Sequence, residues 1–214
     1  MENVIYIDHY DSFSANVVDW LESCGKINVI PIAYDDDEAM VFAEKSMLPL
    51  VLSPGPKTPM DVPQTRGLVR RILGRKPILG ICLGHQLLGL ELGFDLQHVA
   101  NPTHGDKIEI QVAVDTPLFF GLSRRCLAAT YNSLCLAGPV PNNGLAVSVT
   151  SWSDRSSIES IQAMFPCGAL AMGVQFHPES FLAEGFERIP ENYFQIIRSW
   201  KLINYPQSSI SLIQ

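Results

Sequence analysis

The sequence predicts an α/β protein: an open sheet with a parallel core and an antiparallel extension, with helices on both faces. Three observations predict it. Through the first ninety or so positions, short apolar runs alternate with helical segments, the pattern of βαβ units whose right-handed crossovers build a parallel sheet. From about Ile108 the character changes to short alternating or apolar runs separated by Gly, Pro and Asn, which suggests antiparallel strands and hairpins. The 214 residues, 47% of them hydrophobic, suit one domain with a substantial core, with room for a modest insertion.

Taken in order, Asn3 to Ile7 is an apolar strand ending at Asp8. Asp11 or Ser12 can cap a helix that places Phe13, Val17, Leu21 and Cys24 on one face and stops at Gly25. Ile27 to Ile32 is a second strand. Asp35-Asp36-Asp37 reads as a turn and helix start, since a solvated acidic cap is far commoner than a metal cluster. Pro49 to Leu52 is a third strand, Val62 to Leu73 a helix and Pro77 to Ile81 a fourth strand, followed by a helical stretch with Leu83, Leu87, Leu88 and Leu90. Ile108 to Val114, Cys126 to Thr130, Leu145 to Trp152 and Ser160 to Phe165 are the antiparallel candidates. Leu170 to Phe176 is a further apolar strand ending at His177. Glu191 to Ile203 closes the fold as a helix with Tyr193, Ile196, Ile197 and Trp200 on one side, and Pro206 to Gln214 reads as a tail. Ligands of open parallel sheets bind beyond the carboxyl ends of the strands. Asp8, Ser53 and Cys82 each follow a strand end, so they are expected on one rim.

Composition narrows the function classes. With 17% charged residues and net charge −7, a nucleic-acid partner is not expected. No apolar run reaches membrane-spanning length. The chain enters a strand at Asn3 without the basic start and long apolar stretch of a signal peptide. Five cysteines with no Cys-x-x-Cys pair argue against a disulfide framework or a zinc site, and free thiols fit a reducing cytoplasm. No metal or cofactor is expected.

Three stretches carry chemistry. Gly80-Ile81-Cys82-Leu83-Gly84, between an apolar strand and an apolar helix, is the cysteine counterpart of the Gly-x-Ser-x-Gly nucleophile elbow. A nucleophile on such a turn is forced outward, side chains two residues either way would clash with the turn, and the dipole end of the following helix favours thiolate. Alone, this pattern is equally a buried core cysteine at a strand–helix junction. Gly173-Val174-Gln175-Phe176-His177-Pro178-Glu179-Ser180 delivers a histidine to the same rim. In extended chain His177 and Glu179 project the same way, with Pro178 stiffening the link. A cysteine nucleophile needs a base, and the base needs an orienting carboxylate; Cys82, His177 and Glu179 supply those roles. Ser53-Pro54-Gly55-Pro56-Lys57-Thr58-Pro59 is a stiff loop with a bare glycine amide, as an oxyanion hole requires, though by itself it is also a plain proline-rich turn.

Together these residues resemble the class I, or triad, glutamine amidotransferases. That family carries a Ser-Pro-Gly-Pro-Gly-x-Pro loop, a Gly-x-Cys-x-Gly-His-Gln elbow and a Phe-His-Pro-Glu-Ser segment, found here at 53–59, 80–86 and 176–180. The resemblance runs from Ile7 to about Phe194 and implies a flavodoxin-like open sheet, with an amidotransferase domain over 1–205 and a tail over 206–214. Ile7-Asp8-His9-Tyr10-Asp11-Ser12-Phe13 with Asn16 is similar to the Ile-Asp-Asn-Tyr-Asp-Ser-Phe-x-x-Asn start of the amidotransferase subunits of anthranilate and aminodeoxychorismate synthases. The length also fits those subunits, leaving no room for the synthetase regions or extra N-terminal domain of other subfamilies.

The resemblance implies that Cys82 attacks the carboxamide of L-glutamine while the amides of Leu83 and Gly55 hold the oxyanion. His177 then passes a proton to the departing ammonia and activates water, and Glu179 orients His177. Gln86 and the backbone around Ser133 and Leu134 are implied to hold the α-amino and α-carboxylate groups. The implied partner is a chorismate-using synthase subunit. Three departures from the family pattern stand out: Lys57 in place of glycine, Asn132 within Tyr131-Asn132-Ser133-Leu134 in place of histidine, and Asp106 within His104-Gly105-Asp106-Lys107. The last two fall in segments that in relatives face the synthase. Other readings are an amidotransferase for another acceptor, a γ-glutamyl hydrolase of the same fold, and a non-catalytic regulatory subunit.

Overall fold

The computed structural model describes residues 1–100, 102, 105–153 and 157–206. His104 and all of the tail after Pro206 therefore lie outside the described residues. Eleven described strands form one sheet in the order β2-β1-β3-β4-β11-β10-β9-β6-β7, and a β5–β8 pair branches from β10. The parallel half comprises β1 (Glu2–Asp8), β2 (Ile27–Ala33), β3 (Leu50–Leu52), β4 (Ile78–Ile81) and β11 (Leu170–Val174). Its order is that of doubly wound flavodoxin-like sheets, with ligands expected where the order reverses. The antiparallel half comprises β6 (Asp106–Val112), β7 (Arg125–Thr130), β9 (Ala146–Trp152) and β10 (Ile158–Met164).

The period of two along β1 builds two cores. Val4 and Tyr6 face α1 (Ser14–Glu22) and α5 (Ile189–Asn204), packing with Val17, Leu21, Tyr193 and Ile197. Ile5 and Ile7 face α2 (Asp37–Lys45), α3 (Pro63–Ile72) and α4 (Leu83–Leu92), packing with Met40, Leu68 and Leu87. Strands buried on both faces show as unbroken apolar runs, which is why the parallel half is plain in the sequence. The Tyr193 hydroxyl donates to the Leu50 carbonyl at 2.9 Å, tying α5 to β3.

Some expectations shift. Helix α1 begins at Ser14, with Phe13 at the N-cap and no side-chain cap. Asp11 instead accepts the Phe13 amide at 2.8 Å, organising the turn before the helix, and Ser12 caps nothing. Asp36 does cap α2, accepting from the Ala39 amide at 3.0 Å. Strand β11 stops at Val174, three residues short of His177. The sequence reading has no counterpart for β5 (Asp95–His98) and β8 (Leu134–Ala137). Strand β5 is polar and largely exposed, and β8 is held by Leu136 packing where Gly89 of α4 has no side chain.

The crossing of β3, β4 and α4 sets the geometry of the rim. A Cβ on Gly80 would lie 2.4 Å from the Gly84 carbonyl oxygen, and one on Gly84 would lie 2.4 Å from the Leu52 carbonyl oxygen. Both obstacles are backbone, so no rotamer relieves them. Overpacking in a core usually costs about 1–3 kcal/mol, and a clash with backbone sits at or above the top of that range. Gly67, in the middle of α3, meets only the flexible end of Arg71, at 3.1 Å. Gly80→Ala is therefore expected to lower unfolding free energy by ~3 kcal/mol or more, whereas Gly67→Ala is expected to raise it by about 0.5–1 kcal/mol, the ordinary helix-propensity gain. Urea unfolding of the two variants checks the pair; equal effects would refute the packing account.

Candidate active site

Strand β4 delivers Cys82 with φ 51° and ψ −102°, a conformation costly for a residue with a side chain. Neighbouring strands hold it there. The Cys82 amide donates to the Val174 carbonyl at 2.8 Å, and the Gln86 amide donates to the Cys82 carbonyl at 3.1 Å. The residue is 8% exposed, at the N-terminus of α4. The elbow expected from the glycine spacing is present, with its nucleophile candidate at the carboxyl edge of the sheet.

His177 and Glu179 meet as expected, but across a tight turn rather than along extended chain. The Ser180 amide donates to the His177 carbonyl at 3.2 Å, and Nδ1 of His177 donates to Glu179 Oε1 at 2.7 Å. The His177 amide is fixed to the Ala129 carbonyl at 3.0 Å. Both side chains are buried. With Nδ1 committed to Glu179, Nε2 is the nitrogen left for Cys82. Burial disfavours the imidazolium, but hydrogen bonds and charge from Cys82 and Glu179 outweigh it and hold the pKa of His177 well above the ordinary histidine value.

The Ser53 loop follows β3 and lies against the elbow. A Cβ on Gly55 would meet Leu83 Cδ2 at 2.7 Å and His9 Cβ at 2.8 Å, so the two oxyanion candidates, Gly55 and Leu83, are immediate neighbours. Lys57 needs no glycine conformation: among the described residues only Tyr10 and Cys82 combine a side chain with positive φ.

A cleft of ≈ 240 Å³ opens beside Cys82, lined by the Gly55–Thr58 stretch, Leu83, Gln86 and the Tyr131–Leu134 stretch. Gln86, Ser133 and Leu134 thus line one cleft with the nucleophile candidate. The Gln86 amide nitrogen is nevertheless committed within the protein, donating to the Leu134 carbonyl at 3.0 Å and to Gln175 Oε1 at 3.2 Å. Its carbonyl oxygen is the group left for a ligand. Asn132 turns inward as well, donating to the same Leu134 carbonyl at 3.0 Å, so it braces the cleft instead of presenting its amide outward. Asp106 is exposed at the start of β6, and Lys107 beside it pairs with Glu184 at 2.7 Å.

Three residues of the site escaped the sequence reading. Gln175, fully buried, donates to the Cys82 sulfur at 3.6 Å; it lies two residues before His177, inside the stretch the sequence reading singled out. Phe13 and Tyr131 pack around the His177 ring, with centroids 5.5 and 4.9 Å away, the tyrosine edge-on at 77°. Tyr131 also shares a hydrogen bond with Ser180 at 3.2 Å. No periodicity joins residues so distant in the chain. The arrangement offers a positioned cysteine sulfur, a charged imidazole oriented by a carboxylate, and two adjacent backbone amides, a set suited to acyl transfer. Among the described residues no group of His, Cys, Asp and Glu is placed to hold a metal ion. Among them too, no helix is long and apolar enough to cross a membrane.

Comparison with known proteins gives the family and the fold. Residues 5–197 match the family described as Glutamine amidotransferase class-I. The chain is 34% identical over 194 residues to aminodeoxychorismate synthase component 2 of Serratia marcescens, covering 89% of this chain and 98% of that protein. It is 32% identical over 194 residues to anthranilate synthase component 2 of Thermus thermophilus, covering 90% and 91%. The crystal structure of a glutamine amidotransferase from Thermotoga maritima superposes with a TM-score of 0.66 at 16% identity, over 95% of this chain and 98% of that one. That of a candidate GMP synthase component from Thermoplasma acidophilum superposes with a TM-score of 0.80 at 22% identity, again over 95% and 98%. Both are likenesses of fold.

Two histidines around the site contrast with His177. Burial pushes His85, on α4, and His9, beneath the Ser53 loop, from the ordinary 6.5 down to about 4. Both are therefore neutral in the folded protein at pH 7. Between pH 6.5 and 4 the unfolded chain binds protons that the folded chain does not, so stability falls on acidification across that window, by about 3 kcal/mol for each histidine. His177 has the opposite sign: its contribution is complete below pH 6.5 and is lost as pH rises through its elevated value. Urea midpoints are expected to fall steeply from pH 6.5 to 4, with the slope reduced by about one proton in His9→Asn. A slope unchanged in that variant would refute the neutral assignment of His9.

Proposed function

The chain belongs to the class-I glutamine amidotransferase family, and from that premise we propose that it is a glutaminase subunit that hydrolyses L-glutamine and delivers the ammonia to a chorismate-using synthase. The observation that carries this reading is the convergence of Cys82, His177 and Glu179 at one strand edge, beside a cleft floored by Gly55 and Leu83.

In the proposed mechanism the Cys82 sulfur attacks the side-chain carboxamide of glutamine, with its proton on His177. The carbonyl π electrons move to oxygen, and the amides of Gly55 and Leu83 donate to that oxyanion. Collapse breaks the C–N bond, and His177 gives its proton to the leaving nitrogen, releasing ammonia and a γ-glutamyl thioester. His177 then removes a proton from water as it attacks the thioester, and glutamate leaves as the thiolate reforms. Glu179 holds the ring through Nδ1, keeping Nε2 toward sulfur. Phe13 and Tyr131 restrict the ring from its other sides.

The relatives named above are component 2 subunits of two synthases, which supports a component 1 partner and leaves the choice between the two open. The rim is suited to being covered. Tyr10, Met60 and Phe181 are 57%, 57% and 85% exposed and stand on the segments that follow the parallel strands β1, β3 and β11. Large apolar groups exposed on the segments that follow the parallel strands suit an interaction surface, and a cover there keeps ammonia from being protonated and lost in bulk water.

Cys82→Ser is expected to reduce glutamine-dependent product formation by the synthase complex to background while leaving ammonia-dependent formation intact. In the same assay His177→Ala is expected to lose at least 10²–10⁴-fold, the usual worth of a general base, and Glu179→Gln considerably less. Glutamine-dependent activity surviving in Cys82→Ser would remove the assignment. Glutamate release by the isolated chain is also expected to be low and to rise several-fold with the synthase, measured at steady state over a glutamine series. Full activity of the isolated chain, indifferent to any chorismate-using synthase, would favour the γ-glutamyl hydrolase reading.

A further inference from the structure

The loop carrying Gly55 departs from the family pattern at Lys57, in place of glycine. The segment beneath it departs at His9, where the pattern Ile-Asp-Asn-Tyr has asparagine. These two departures, 48 positions apart, meet on one ring. Lys57 Nζ donates to the Tyr34 hydroxyl at 2.5 Å and lies 5.0 Å from the Tyr34 ring centroid. The His9 ring packs on the same tyrosine, centroids 5.4 Å apart at 34°. Tyr34 is itself buried at the end of β2, with Tyr10 against its edge at 5.5 Å.

His9 is joined to the loop and to the scaffold at once. Its amide and its Nδ1 both reach Ser53 Oγ at 2.8 Å, its Nε2 reaches Thr65 Oγ1 of α3 at 3.1 Å, and its Cβ fills the space under Gly55. Ser53 is thus fixed from below and Lys57 from the side. The three residues between them are Pro54, Gly55 and Pro56, and each proline has φ locked near −65°. Clamping both ends of so short and stiff a segment leaves the Gly55 N–H little freedom of direction.

We propose that His9, Tyr34 and Lys57 form a brace that aims the Gly55 amide at the reacting carbonyl oxygen. They are positioning residues, acting through Gly55 on the transition state rather than on bound glutamine. The inference rests on the glutaminase reading above. An oxyanion donor is worth on the order of 10²–10³ in kcat, so a loosened one loses part of that. Lys57 is also the one charged side chain among the described residues lining the cleft, so direct pairing with the glutamine carboxylate is the competing role.

Tyr34→Phe removes the hydroxyl and keeps the ring; Lys57→Met removes the charge and keeps the stem. Steady-state glutamate release by the full chain with its synthase, over a glutamine series, separates the roles. The expected result is a fall in kcat of about tenfold in each variant, with KM and the thermal midpoint nearly unchanged and the double variant no worse than either single one. A rise in KM with kcat retained in Lys57→Met, multiplying losses in the double variant, a kcat equal to that of the unsubstituted chain, or losses tracking thermal stability would each overturn it. No glutamate release from the unsubstituted pair would overturn the glutaminase reading and the brace with it.

Discussion

The strained backbone at Cys82 is the constraint on which the rest of the site depends. A residue with a side chain adopts this conformation only when its surroundings leave no alternative. Here the Gly84 and Leu52 carbonyls press on either side of the turn, and the Val174 carbonyl takes the Cys82 amide. Those contacts exist because β4 lies between β3 and β11. The same strand order sends the Ser53 loop and the His177 segment along opposite flanks of the cysteine. Sheet topology therefore brings the cysteine, the histidine–glutamate pair and the glycine loop together in one step, and loops need only supply the last few ångströms.

Burial then sorts the histidines. His85 and His9 have hydroxyl or carbonyl partners and no carboxylate bonded to either ring, so burial keeps them neutral and useful as struts. His177 is buried just as deeply but faces a carboxylate on one nitrogen and a sulfur on the other, and its charge is retained. An imidazolium beside the sulfur is a proton donor already in place for a departing amine. A hydrophobic interior thus serves both tasks, and the partner atoms decide which.

The parallel half of the fold was legible because strands covered on both faces must be apolar throughout, and the elbow because its glycines are forced by backbone contacts two residues from Cys82. The pairing of His177 with Glu179 was legible for a related reason: the two are near in sequence, although a turn rather than an extended strand brings them together. The β5–β8 pair was not, since β5 is short, polar and exposed and shows no alternation. The helix α1 start was misplaced because the aspartate that looks like a cap serves the preceding turn. Phe13, Tyr131 and the convergence of His9 with Lys57 on Tyr34 are contacts between residues far apart in the chain, for which a single sequence has no local signature.

The central claim is that one of five free cysteines is made a nucleophile by its place in the fold. Mass spectrometry after reaction with a glutamine analogue bearing an electrophilic side chain tests it most directly. The account predicts a single adduct, located on Cys82 and suppressed by excess L-glutamine, with Cys24, Cys126, Cys135 and Cys167 unmodified. Labelling spread over the half-buried Cys24 and Cys167, or labelling of Cys82 that glutamine does not slow, would contradict it.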